Sequence, residues 1–125
     1  MRTLKAGIVG LGLIGASLAK AYRQEGHIVY GLDIQDDILS FARLSGAVNE
    51  KLTEQNIREC DILLIAVNPG DAVAYLEATA PIIAPGTLVL DCCGIKRPVC
   101  EKCFPLAKKY GFTFVGGHPD RKSVV

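Results

Sequence analysis

Gly10-Leu11-Gly12-Leu13-Ile14-Gly15 is the stretch on which the fold is decided. An apolar run, Lys5 to Val9, precedes it and reads as a buried strand. Leu13 to Gln24 follows as a helix, with Ile14, Leu18 and Tyr22 at i, i+4 and i+8, and Gly26 as its C-cap. A glycine triplet at this spacing is weak by itself. Between a strand and a helix, with an acidic residue closing the next strand, it points to a dinucleotide-binding turn. That acidic residue is Asp33, 18 positions past Gly15. The three glycines play different parts. Gly10 permits the tight turn, Gly12 leaves room for a pyrophosphate, and Gly15 lets the helix pack on the strand. The N–H groups of Leu13 and Ile14 are expected at the phosphates, aided by the helix dipole. Asp33 is expected to accept hydrogen bonds from an adenosine ribose and to repel a 2′-phosphate, which favours NAD over NADP. Ile34 and Gln35 offer no cation to reverse that preference, so Arg43 or a residue from elsewhere in the chain would have to fold in to do so.

Working outward, apolar runs alternate with helical patterns. Strands are expected at Ile28 to Leu32, Ala47 to Lys51, Ile62 to Val67, Thr87 to Cys92 and Phe112 to Val115. Helices are expected at Asp36 to Leu44, Asp71 to Ile83 and from Pro98 toward Tyr110, with a helical turn at Ile57 to Cys60. Pro81 should end or kink the third helix, and Pro105 should bend the last. The continuous apolar run Ile62 to Val67 implies cover on both faces of the sheet. The fold class is therefore α/β: a Rossmann-like doubly wound, mainly parallel sheet with helices on both faces.

The whole chain has 125 residues, enough for one domain that buries about two-thirds of its unfolded surface. Half its residues are apolar and its net charge is +1, which excludes disorder and argues against nucleic-acid binding. No apolar run reaches about 18 residues, so no membrane span is expected. Arg2 and Lys5 before an apolar Ala6 to Ala19 imitate a secretion signal, but four interrupting glycines make a poor helical segment. A cytoplasmic location is expected. The mean hydropathy of +0.29 is high for a lone domain. Such hydropathy leads us to expect self-association in isolation.

Five cysteines, Cys60, Cys92, Cys93, Cys100 and Cys103, do not form a secreted disulfide framework. Cys100 and Cys103 have zinc-ligand or redox spacing. Cys92 and Cys93 point to opposite faces if they end a strand. The favoured reading is reduced thiols used as small apolar residues, with no metal.

Ligands in this fold bind beyond the carboxyl ends of the strands. That selects Val67, Asn68 and Pro69 as a cofactor-lining turn, the stretch Asp91 to Lys96, and Gly117-His118-Pro119. His118 is a candidate base for an alcohol proton, against the alternative of a packed strand-end histidine. Lys96 could attract a carboxylate, although a surface lysine is the plainer reading. Asp91 is expected to order its loop. The other histidine, His27, is placed on the surface.

Several segments together resemble the prephenate dehydrogenase family, which includes arogenate dehydrogenases. They are Gly-Leu-Gly-Leu-Ile-Gly-Ala-Ser-Leu-Ala (10–19), Gly-Leu-Asp (31–33), Asp-Ile-Leu-Leu-Ile-Ala-Val (61–67), Asp91 to Lys96 and Phe-Val-Gly-Gly-His-Pro (114–119). The resemblance implies NAD-dependent oxidative decarboxylation of prephenate to 4-hydroxyphenylpyruvate in tyrosine biosynthesis. It implies His118 as the catalytic base, with Gly94 and Lys96 near the substrate. Gly94 stands where the family usually has a serine that contacts the histidine or the substrate hydroxyl. The family continues past His-Pro into a helical C-terminal domain that forms a homodimer and holds the substrate, prephenate or arogenate. Here residues 1–119 are expected to be the NAD-binding domain and 120–125 an atypical tail left by truncation or frameshift, the chain being inactive alone. Two alternatives stand beside this. One is another NAD(P)-dependent reductase of the 6-phosphogluconate dehydrogenase-like group. The other is a non-catalytic NAD-binding module.

Overall fold

Strand order decides where a ligand can enter this architecture. The computed structural model describes residues 3–92 and 97–116. Among the described residues six strands occur: β1 (Lys5–Val9), β2 (Ile28–Leu32), β3 (Glu50–Lys51), β4 (Ile62–Ile65), β5 (Leu88–Asp91) and β6 (Thr113–Gly116). They form one sheet in the order β3-β2-β1-β4-β5-β6, and every pairing is parallel. The described helices alternate with them: α1 (Leu13–Gln24), α2 (Asp36–Leu44), α3 (Pro69–Thr79) and α4 (Arg97–Tyr110). The expected Rossmann-like fold is therefore what the chain adopts. The chain winds one way from β1 to β3 and the other way from β4 to β6, so the switch point lies between β1 and β4.

The two sides of the sheet carry separate cores, because neighbouring strand residues point to opposite faces. On one face Ile8, Val29 and Leu64 pack with Ala19 of α1 and Leu39 and Ala42 of α2. On the other, Val9, Leu63, Ile65 and Val89 pack with Ala72 and Leu76 of α3 and Cys103 and Ala107 of α4. This double cover explains the unbroken apolar run in β4.

Several expected boundaries move, each for a local reason. The third strand shrinks to Glu50–Lys51 because the Ala47 and Val48 N–H groups donate to the Ala42 carbonyl and close α2 instead. Helix α3 starts two residues early, since Asn68 caps it and Pro69 sits in the first turn, where its missing N–H costs nothing. It stops at Thr79 because Pro81 cannot donate, and a 3₁₀ turn, Ala80–Ile82, replaces its last turn. Helix α4 runs on through Pro105, which lies on its exposed side, so the orphaned carbonyl one turn back can be hydrated. Strands β4, β5 and β6 shift by one or two residues at their ends.

Two side chains sit differently from their expected places. Ile14 is half exposed, and α1 instead buries the small residues Gly15 and Ala19, which let it lie close to the sheet. His27 is not free on the surface. It is half-buried, and its Nδ1 accepts the Leu4 N–H at 3.0 Å. Among the described residues, no helix is long and apolar enough to cross a membrane.

Candidate functional site

Where β1 and β4 part, the glycine-rich turn fills the opening. Gly10 has φ +95°, which only glycine adopts cheaply, and a Cβ there would lie 2.4 Å from the Ala66 carbonyl oxygen. The turn is tied to the end of β2 at two points. Gly10 N–H donates to the Leu32 carbonyl (2.8 Å), and Leu11 N–H donates to Asp33 Oδ2 (2.8 Å). The Leu11 side chain is buried beneath the turn. Gly15 serves closeness: its Cβ would come within 1.8 Å of the Gly10 carbonyl oxygen.

Gly12 differs. Its φ is −71°, and a Cβ there would meet nothing within 4 Å. Nothing in the described chain requires glycine at this position, and the space above it is open. Gly12 is also the N-cap of α1, with no side-chain hydrogen bond to the helix and no acidic residue in the first turn. The first N–H groups of a helix have no intrahelical acceptor and carry the positive end of its dipole. Helix α2 has Asp36 and Asp37 in its first turn, and α3 has the Asn68 cap and Asp71. The start of α1 thus offers uncompensated donors beside open space, the chemistry of an anion cradle.

A cleft of about 430 Å³ opens here, lined by Gly10, Gly12, Asp33, Ile34, Val67 and Tyr75 among others. Asp33 Oδ1 also accepts from Gln35 N–H at 2.9 Å, so both carboxylate oxygens are anchored to backbone. Asn68 forms part of the wall, but its amide is committed. Its Oδ1 accepts from Asp71 N–H (2.9 Å) and its Nδ2 donates to Asp71 Oδ2 (2.8 Å). Pro69 stands behind it in the first turn of α3, off the cleft wall. Leu13 and Ile14 likewise lie outside the lining, their side chains turned to solvent. Tyr75 joins the wall without any signal in the sequence. It lies one helical turn beyond Asp71 on the side of α3 that faces the cleft, and burial raises its phenol pKa. Arg43 does not approach the cleft, because its guanidinium pairs with Glu50 at 3.4 Å.

Asp91 is fully buried at the carboxyl end of β5, in register with Ile65 and Gly116. Gly94, Lys96 and His118 lie outside the described residues. Two of the described thiols, Cys60 and Cys103, are buried. Cys103 is fully buried in the α4 side of the core, and Cys60 is buried with its pKa pushed up to about 12 by burial and by Glu59 and Asp61. Among the described residues, no cluster of three or more metal-ligating side chains occurs.

Residues 18–120 match a family described as prephenate dehydrogenase, nucleotide-binding domain. No curated protein matches the chain by sequence. Among solved structures, arogenate dehydrogenase from Synechocystis is 31% identical with a TM-score of 0.82, covering 93% of this chain and 41% of that one. Prephenate dehydrogenase from A. aeolicus, solved with hydroxyphenyl propionate and NAD+, is 24% identical with a TM-score of 0.81, covering 96% of this chain and 43% of that one. A 3-hydroxyisobutyrate dehydrogenase from Mycobacterium tuberculosis shares the fold at 22% identity and a TM-score of 0.80, covering 90% of this chain and 39% of that one. The chain spans about two-fifths of the length of each of these structures.

Proposed function

The chain belongs to the prephenate dehydrogenase family, matching its nucleotide-binding domain, and we propose that it binds NAD+ for the oxidative decarboxylation of prephenate or arogenate in tyrosine biosynthesis. The single observation that carries the cofactor assignment is Gly12. It has ordinary φ and lines the cleft with nothing within 4 Å of its missing Cβ, which leaves room for a pyrophosphate against the start of α1. The uncapped start of α1 would hold the pyrophosphate through backbone N–H groups. Asp33 would hold the adenosine ribose, and its charge, with no cation among the described residues of the cleft wall, disfavours a 2′-phosphate. When bound, the nicotinamide supplies the acceptor for a hydride.

What remains for the chain is to align the substrate and move one proton. His118 would take the proton of the ring hydroxyl, and loss of CO2 from the ring then gives an aromatic product. It stands two residues after β6, whose end at Gly116 lies at the same edge of the sheet as the glycine-rich turn. Gly94 and Lys96, which follow closely on β5, would lie toward the substrate, with Lys96 attracting a carboxylate. Titration with NAD+ and NADP+ tests the cofactor reading. NAD+ should bind more tightly, and NADP+ binding at least as well would overturn the role given to Asp33. By itself the 125-residue chain should turn prephenate over negligibly; clear NADH formation from it would refute that part. In the family's complete form we propose a cytoplasmic homodimer.

A further inference from the structure

Asp33 touches the glycine-rich turn as well as facing the cleft, and this gives it a second role. Its Oδ2 accepts the Leu11 N–H at 2.8 Å, while its Oδ1 accepts the Gln35 N–H at 2.9 Å. The second bond fixes the plane of the carboxylate; the first holds the turn between Gly10 and Gly12 against β2. Asp33 is half-buried. Each carboxylate oxygen can accept a further hydrogen bond, so ribose hydroxyls and the turn can be held together.

We propose that Asp33 is a positioning residue for phosphate binding. By holding Leu11 N–H it sets the turn over which the pyrophosphate lies, so one side chain couples ribose recognition to phosphate recognition. This inference rests on the dinucleotide reading above. It has a consequence for exchanging the cofactor. Replacing Asp33 by a small neutral residue removes the repulsion of a 2′-phosphate, but it also releases the turn that both cofactors need.

The test crosses the side chain with the ligand. Wild type, Asp33→Ala and Asp33→Asn are titrated with NAD+ and with an NAD+ analogue lacking both adenosine ribose hydroxyls. A residue that acts only on the ribose would leave the analogue's affinity unchanged in Asp33→Ala. The positioning role predicts that Asp33→Ala weakens the analogue by about tenfold or more, the loss of a charge-assisted hydrogen bond. Asp33→Asn keeps one carbonyl oxygen for Leu11 N–H, so it should recover much of the analogue's binding and less of NAD+'s. Hydrogen exchange at the Leu11 amide should quicken in Asp33→Ala and stay slow in Asp33→Asn. Equal affinity of wild type and Asp33→Ala for the analogue, or an unchanged Leu11 exchange rate, overturns the inference alone. A wild-type chain that binds neither ligand overturns the dinucleotide reading, and the inference with it.

Discussion

Two alanine substitutions three residues apart should have opposite consequences. At Gly15 a new Cβ would sit 1.8 Å from the Gly10 carbonyl oxygen, where ordinary contact begins at 3.4 Å. The obstruction is backbone, so the turn or α1 must move by more than an ångström. Overpacking of this kind costs about 1–3 kcal/mol. For a domain of this size that corresponds to a fall in Tm of roughly 4–11 °C. At Gly12 the Cβ meets nothing within 4 Å. Losing glycine's unfolded-state entropy gains about 0.4–1 kcal/mol. Alanine as an N-cap loses about as much, so the net should be within about 0.5 kcal/mol of zero. The Gly12→Ala methyl projects into the space assigned to the pyrophosphate, and NAD+ affinity should fall by about tenfold or more. Thermal unfolding and calorimetric titration of both variants read the two effects separately. A Gly12→Ala protein that melts as early as Gly15→Ala, or that binds NAD+ like wild type, would refute the reasoning.

Other substitutions probe the supports of the site. Asn68→Ala removes the α3 cap and should lower stability by about 1 kcal/mol, measured by denaturant unfolding. Arg43→Ala should leave the ratio of NAD+ to NADP+ affinity unchanged, because Arg43 pairs with Glu50 away from the cleft. His27→Ala deprives Leu4 N–H of its acceptor and should cost about 1 kcal/mol, with quicker exchange at that amide. Cys60 has its pKa raised from 9.0 to about 12, so it contributes stability that is whole below pH 9 and lost as pH rises toward 12. Tyr22, Tyr30 and Tyr75, all raised by burial, act in the same direction. Cys60→Ala should therefore flatten the alkaline fall in Tm, and native Cys60 should resist alkylation near neutral pH.

The first four elements, Lys5–Val9, Leu13–Gln24, Ile28–Leu32 and Asp36–Leu44, were legible to the residue, helped by glycines at positive φ (Gly10, Gly26 and Gly46) that follow three of them. Gly10 and Gly26 take up the positive φ at which the preceding strand and helix end. Later boundaries depend on competition for hydrogen bonds that composition does not display. Ala47 and Val48 look like strand residues, yet the Ala42 carbonyl claims their N–H groups. Periodicity placed Ile14 with Leu18 and Tyr22 because it weighs apolar size. Leu18 and Tyr22 do pack against the core, but Ile14 is half exposed. The fully buried line of the helix runs through Gly15 and Ala19, which are too small to register in such a pattern. Within the site, Gly10, Gly12 and Asp33 could be read from their spacing. Asp71 and Tyr75 could not, because their orientation follows only once Asn68 sets where α3 begins.

The position of β1 between β2 and β4 also governs the order in which the molecule can be made. Ala6 pairs with Val29 on one side but with Ile62 on the other. Parallel pairing waits for its crossover, and closing that long loop costs entropy before any contact compensates it. On the ribosome, a chain ending before β4 would carry the glycine-rich turn without Ala66, the backbone it leans on. The second wall of the cleft arrives later still, with Val67, Asp71 and Tyr75. The glycine-rich turn is thus among the first parts to be synthesised and among the last to be completed. A nucleotide present during synthesis would select chains that have already closed the switch point, acting on a late folding step rather than as a nucleus.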